Sequence, residues 1–177
     1  MPTRRRNLRT VSFLLGVLLL ANELHAGQHT ANPGSAADTS LSITGDVARP
    51  LTLTPAELKA MPRTTVSIVD QGREVKYTGV LAGDVLARAG APLGRDLSGP
   101  AMTTYVVASA KDGYQVVFSL AELDPALTSN DIIIADTVDG QPLFDYQGPL
   151  RIVAPRDKRG ARSIRMLQRL DVVRLRK

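Results

Sequence analysis

The chain has 177 residues, a formal net charge of +5 and no cysteine, and its aromatic residues are four tyrosines and three phenylalanines. Proteins that stack bases interleave aromatic and basic residues, so this composition argues against a nucleic-acid partner. The two histidines, His25 and His29, precede the segment that we expect to fold. That segment therefore offers no Ser–His or Cys–His catalytic pair and no histidine zinc site.

Residues 1–26 have the composition of a secretory signal peptide. A basic start, Arg4 to Arg9, precedes an apolar core from Val11 to Ala21, and Leu24-His25-Ala26 offers a cleavage site. Because a membrane span needs about 20 apolar residues, we expect cleavage and release to the periplasm or the exterior, with an uncleaved anchor as the alternative. The adjacent arginines leave the general secretory and twin-arginine export routes both open.

Residues 27–40 have little apolar surface to bury, and we predict a disordered linker there. From residue 41 onwards, short apolar runs bounded by turn residues predict strands. The predicted strands are Leu41–Thr44, Thr65–Asp70, Glu74–Thr78, Thr103–Ala108, Gln115–Ser119, Ile132–Asp136, Leu150–Val153 and Leu167–Arg174.

Two or three short helices are predicted between these strands. Thr54, with Glu57 three residues on, has the capping-box pattern of a helix start. A second helix is predicted over Gly83–Ala89, and Ser119 is placed to cap a third through Leu123. Short helices among many strands indicate a single α+β domain over residues 41–177.

The C-terminal segment concentrates positive charge. Without residues 1–26, which hold four of the 22 cations and one of the 17 acids, the net charge is +2, and nine cations with only two acids follow Pro155. Five of these cations fall within ten residues: Arg156, Lys158, Arg159, Arg162 and Arg165. Gly160 lets backbone N–H groups approach a ligand, and Ser163 adds a hydroxyl. This combination predicts a receptacle for phosphate or another oxyanion, and the alternative is a solvated basic tail.

Arg151 lies inside the apolar run Leu150–Val153, where a charge must be paired to be tolerated. Its partner is either a carboxylate, such as that of Asp112 or Asp145, or a bound ligand. The sequence pattern leaves these two alternatives open.

The motif Gly-Pro-Leu-Arg-x-Val-x-Pro at residues 148–155, followed by Gly-x-Arg-Ser-x-Arg at 160–165, resembles the molybdopterin-binding oxidoreductase domain of the sulfite-oxidase family. Segments upstream of this motif also resemble the family, and they occur in the same order along the chain. These segments are Leu41–Val47, Pro50–Leu53, Pro55–Pro62, Tyr77–Leu81, Asp84–Gly90, Ala110–Tyr114, Ile132–Ala135 and Asp139–Leu143. The resemblance covers about Leu41 to Leu175 and implies β-rich curled sheets with two or three short helices.

The resemblance also implies a cofactor, molybdopterin, and a set of residues that bind it. Arg151 matches an arginine on the metal-centre side that contacts anionic substrate. The residues implied in the pterin-phosphate region are Arg159, Gly160, Arg162, Ser163 and Arg165.

The chain departs from the family pattern at the metal ligand. Active members bind molybdenum through a cysteine thiolate in the loop after the Thr65–Asp70 strand, and here Asp70 or Gln71 occupies that place. A carboxylate is a hard oxygen donor and does not reproduce the electronics of a soft thiolate. We therefore expect no molybdenum and no redox catalysis of the family type, whereas pterin or anion binding is not excluded.

Two hypotheses follow from the sequence. The first is an exported binding module that retains the fold and a site for a pterin-type or other phosphate or oxyanion ligand. The second is an atypical molybdopterin-dependent oxidoreductase whose metal is held by oxygen ligands or by the pterin dithiolene alone. The sequence names no substrate, redox partner or oligomeric state.

Overall fold

The computed structural model describes residues 39–70 and 72–176, which form ten strands and three short α-helices. The predicted signal peptide and most of the predicted linker lie outside the described residues, as does Gln71. Within the described ranges, no helix is long and apolar enough to span a bilayer.

The strands are β1 Leu41–Gly45, β2 Leu51–Leu53, β3 Thr64–Asp70, β4 Arg73–Leu81, β5 Thr104–Ala110, β6 Gln115–Ser119, β7 Ile133–Val138, β8 Gln141–Pro142, β9 Arg151–Val153 and β10 Leu167–Arg174. The α-helices are α1 Pro55–Lys59, α2 Ala82–Arg88 and α3 Leu120–Leu123. Short 3₁₀ helices cover Gly94–Asp96, Gly99–Thr103, Asp145–Gln147 and Gly160–Arg162.

Two five-stranded sheets organise the domain. The first has the order β2-β1-β10-β5-β6, and β1 pairs with β10 in parallel while the other pairs are antiparallel. The second has the order β3-β4-β7-β8, with β9 also paired to β7. The C-terminal strand β10 therefore lies at the centre of the first sheet, directly after the basic segment that the sequence singles out.

Strand β7 explains why the second sheet has a core on both faces. Ile134 belongs to the larger hydrophobic cluster, which it shares with residues of the first sheet such as Phe118. Its neighbours Ile133 and Ala135 belong to a smaller cluster that includes Tyr77. Successive side chains of a strand point to opposite faces, so a continuous apolar run is what a strand buried on both sides requires.

The predicted α+β architecture is confirmed, including its short helices. Thr54 caps α1 and Ser119 caps α3, each with the reciprocal hydrogen bonds of a capping box. The predicted strand Glu74–Thr78 ends too early, because β4 continues through Gly79 to Leu81. A Cβ at position 79 would collide with the backbone of Ile134, so glycine permits the close approach of β4 and β7 at an irregularity in their pairing. The two-residue strand β8 is too short to produce a hydrophobic pattern.

Candidate functional site

A cavity of about 850 Å³ is formed by four parts of the fold. Its lining comes from the end of β3, the β5–β6 turn, the start of β9 with the neighbouring 3₁₀ residue Tyr146, and the segment from Ala154 to Met166. Its volume is within the range of small-molecule sites. Of the residues that the sequence singles out, it brings together Asp70, Arg151, Arg159, Gly160, Ser163 and Arg165.

Arg151 is the buried cation of this cavity, with only 5% of its surface exposed. Its Nη1 donates to the hydroxyl oxygen of Tyr77 at 2.9 Å and to Oε1 of Gln147 at 3.1 Å, whereas its Nε has no partner. Its guanidinium carbon lies 4.9 Å from the centroid of the Tyr77 ring. Every polar partner of Arg151 in the described part of the chain is therefore neutral.

The proposed pairing of Arg151 with Asp112 or Asp145 is not found: neither carboxylate lies within ion-pairing distance of it. The reason is the position of β9, which pairs with β7 so that Arg151 lies opposite Ala135 and beside the smaller core. Burial lowers the pKa of Arg151, although arginine remains protonated at neutral pH. A charged group without a carboxylate partner is thus held in the cavity wall.

The segment that follows β9 supplies exposed cations. Lys158, Arg159 and Arg165 line the cavity and have no carboxylate within ion-pairing distance among the described residues. The guanidinium of Arg165 lies over the ring of Tyr146, 5.0 Å from its centroid. Gly160 has open space beside its Cα, so a ligand can approach its backbone closely.

Ser163 is buried at the base of this segment. Its Oγ accepts a hydrogen bond from the Ala154 N–H at 3.1 Å, which fixes the side chain and leaves the hydroxyl hydrogen available to another acceptor. Ser163 and Arg151 are both among the lining residues of the cavity. Together they present a cation and a neutral donor, which is a donor set suited to an oxyanion.

Arg162 differs from the other predicted site residues because it does not line the cavity. Its guanidinium makes a bidentate pair with Asp157, at 2.8 and 2.7 Å, and its Nη1 donates to Oε2 of Glu122 at 2.9 Å. It also lies over the ring of Phe118, 4.9 Å from the centroid. The hydrogen bonds to Asp157 and Glu122 raise the pKa of Arg162. Its contacts join the basic segment to α3, so direct contact with a ligand in the cavity is not what this geometry supports.

The β5–β6 turn also holds the basic segment in place. The hydroxyl of Tyr114 donates to the carbonyl oxygen of Ala161 at 3.0 Å, while its backbone N–H donates to Oδ1 of Asp112 at 3.0 Å. Tyr114 is half exposed and lines the cavity, so it is not a residue of the hairpin core.

Asp70 ends β3 and is exposed, and it lines the cavity together with the half-buried Ile68 and the exposed Val69. Within residues 39–70 and 72–176, no group of three His, Cys, Asp or Glu residues is arranged to hold a metal ion. The cations and donors that line the cavity, which are Arg151, Ser163 and the basic segment, are groups that could hold the anionic part of a pterin cofactor. The residues present do not fit a thiolate-ligated molybdenum, because the sequence contains no cysteine.

The two sheets and the basic cavity that they support form an α+β domain. The family model described as oxidoreductase molybdopterin binding domain matches residues 29–177, and the chain belongs to that family. No curated protein matches the chain.

Among solved structures, the chain is similar to the sulfane dehydrogenase SoxCD from Paracoccus pantotrophus, with a TM-score of 0.60 and 22% sequence identity. The similarity covers 77% of this chain and 38% of that chain, so the present chain spans little more than a third of the length of that protein. At this identity, the likeness supports the shared fold alone.

Sequence reasoning missed the residues that hold Arg151. Tyr77 belongs to a strand and carries an ordinary alternating pattern, and Gln147 lies in a 3₁₀ turn without any motif. A buried tyrosine needs a partner for its hydroxyl, which is the one signal that could have indicated a polar group near Tyr77.

We predict that Arg162→Ala lowers the free energy of unfolding by about 1–2 kcal/mol, because Asp157 and Glu122 lose their shared cation. Arg162→Lys should recover only part of this loss, since an ammonium cannot reproduce the bidentate fork. Urea denaturation measures both changes. The control is Arg73→Ala, which removes an exposed ion pair with Asp139 at 3.3 Å and should change stability little. Equal losses of unfolding free energy for Arg162→Ala and Arg73→Ala would contradict the claim that Arg162 stabilises the basic segment through Asp157 and Glu122.

Proposed function

We propose that this domain binds a small phosphate-bearing ligand of the pterin type, or a related oxyanion, in the basic cavity, and that it does so without the molybdenum-centred reaction of its family. The observation that carries the proposal is Arg151, a buried guanidinium with an unpaired Nε at the wall of a cavity. A buried charge is costly unless it is paired, and a bound anion supplies the pairing that the described protein groups do not.

Family membership supports the cofactor class, and the geometry supports the way in which the ligand is held. Arg151 and the Ser163 hydroxyl bind the anionic group, with Arg159, Arg165 and the backbone near Gly160 completing its surroundings. Arg162 acts as a positioning residue, because it fixes the segment through Asp157 and Glu122. A molybdenum-bearing cofactor would supply electron transfer, and the chain lacks the thiolate through which its relatives hold the metal.

The proposal includes export. The basic start, short apolar core and Ala26 of the first 26 residues support cleavage by a signal peptidase and a periplasmic or secreted domain. Those residues lie outside the part of the chain that the structure describes, so this part of the proposal depends on the sequence alone.

The first test of the proposal uses inorganic phosphate as the probe. Titration calorimetry at low salt should detect binding to the parent protein, and Arg151→Met should weaken it about tenfold or more, because a charge-assisted hydrogen bond contributes about 1.5–3 kcal/mol. In the absence of phosphate, Arg151→Met should melt at the same temperature as the parent or above it, since a buried unpaired charge is removed.

Arg95→Met is the matched control for this titration. Arg95 is exposed on the Gly94–Asp96 turn and does not line the cavity, so the variant removes one positive charge without touching the site. It should bind phosphate nearly as the parent does. Absence of phosphate binding by the parent, or equal weakening by the two variants, would refute the proposed site.

The second test concerns the metal. Full-length protein purified from a bacterium that makes molybdenum cofactor should hold far less than one molybdenum atom per chain, because no cysteine is present to ligate it. Elemental analysis by mass spectrometry measures the content directly. A near-stoichiometric molybdenum content would overturn the proposal that the domain lacks molybdenum chemistry, and would support ligation by oxygen or by the pterin dithiolene alone.

The third test concerns export. Mass spectrometry of the exported protein should find an N-terminus at Gly27 or within a few residues of it, as the Leu24-His25-Ala26 site predicts. A mature protein that keeps Arg4 and remains with the membrane would show instead that the leader is an uncleaved anchor.

A further inference from the structure

We propose that Asp70 makes the cavity favour phosphate esters that also carry an amine or another hydrogen-bond donor over esters that carry a second anion. This inference rests on the proposed phosphate site and adds the class of ligand that the site takes. It assigns a role to Asp70, one of the two residues that the resemblance places where the family has its cysteine.

The acidic residues that line the cavity differ in whether their carboxylates already have hydrogen-bond partners. The carboxylate of Asp157 is held by both ends of the Arg162 fork, and that of Asp112 accepts the N–H of Tyr114 within its own turn. The carboxylate of Asp70 has neither a hydrogen-bond partner nor an ion-pair partner among the described residues, although Asp70 lines the same cavity. Its negative charge therefore remains available to a ligand.

Asp70 and Arg151 approach the cavity from different strands. β3 carries Asp70 at its end, and β4 and β7 separate β3 from β9, which carries Arg151. Both side chains nevertheless line one cavity, and the carboxylate of Asp70 is near enough to oppose the lowering of the Arg151 pKa that burial causes. The cavity thus holds a buried cation, Arg151, and an exposed carboxylate that acts on it without a hydrogen bond.

This arrangement constrains the free end of a bound ligand. A phosphate held by Arg151 and Ser163 leaves the rest of its molecule in the remaining cavity, which Asp70 also lines. A volume of about 850 Å³ is far more than a phosphate ion occupies, so the site has room for an ester. The exposed cations of the cavity attract a second anion, and the charge of Asp70 opposes that attraction, whereas an ammonium or an amino-substituted ring donates to Asp70.

The test compares two probes of similar size that differ in the charge of the free end, O-phosphoethanolamine and 2-phosphoglycolate. Their dissociation constants are measured by calorimetry at low salt for the parent, Asp70→Asn and Asp70→Ser. The readout is the change in the ratio of the two constants between the parent and the variants, because the basic residues of the cavity are the same in all three proteins. Replacing the Asp70 charge should shift this ratio about tenfold towards phosphoglycolate, because the free ends differ by two charge units.

Glu74→Gln is the matched control, because Glu74 is an exposed acid of the same β3–β4 hairpin that does not line the cavity. It should leave the ratio unchanged. Equal ratios in the parent and both Asp70 variants, with inorganic phosphate still bound through Arg151, would overturn the role of Asp70 and leave the phosphate site intact. Failure of all three phosphate probes to bind the parent would overturn the proposed site itself.

Discussion

The candidate site depends on the placement of one buried charge, the guanidinium of Arg151, beside the smaller hydrophobic core. Tyr77 and Gln147 satisfy part of its hydrogen-bonding capacity, and both are neutral. Neutral partners orient a cation but do not compensate its charge, and the carboxylate of Asp70 acts on it without a hydrogen bond. Under the proposed function, a bound anion supplies the remaining compensation.

The remaining architecture positions groups around that charge. The smaller core beneath β7 fixes Tyr77 and hence the guanidinium plane. The basic segment between β9 and β10 is fixed at both sides, by Arg162 to α3 and by Tyr114 to the β5–β6 turn. These contacts hold the backbone of the segment in place before a ligand binds, so the segment loses less conformational entropy on binding.

Sequence reasoning recovered most of the fold because hydrophobic alternation and helix caps are local signals, as Thr54 and Ser119 illustrate. It also identified Arg151 as a charge that needs a partner, but it could not distinguish a carboxylate from a ligand. That distinction depends on the pairing of β9 with β7, which is a long-range feature. Tertiary contacts also decide which cations of the basic segment line the cavity. Arg162 binds Glu122, forty residues away in the sequence, and therefore does not line the cavity as Arg159 and Arg165 do.

The most direct test of this account observes the unpaired Arg151 Nε–H itself. In ¹⁵N-labelled protein, its side-chain resonance is identified by its loss in Arg151→Met, and inorganic phosphate is then titrated. The account predicts that this resonance shifts saturably, with the dissociation constant that calorimetry gives for the whole protein. A resonance that stays unchanged while phosphate binds elsewhere would contradict the claim that Arg151 is the anion's partner.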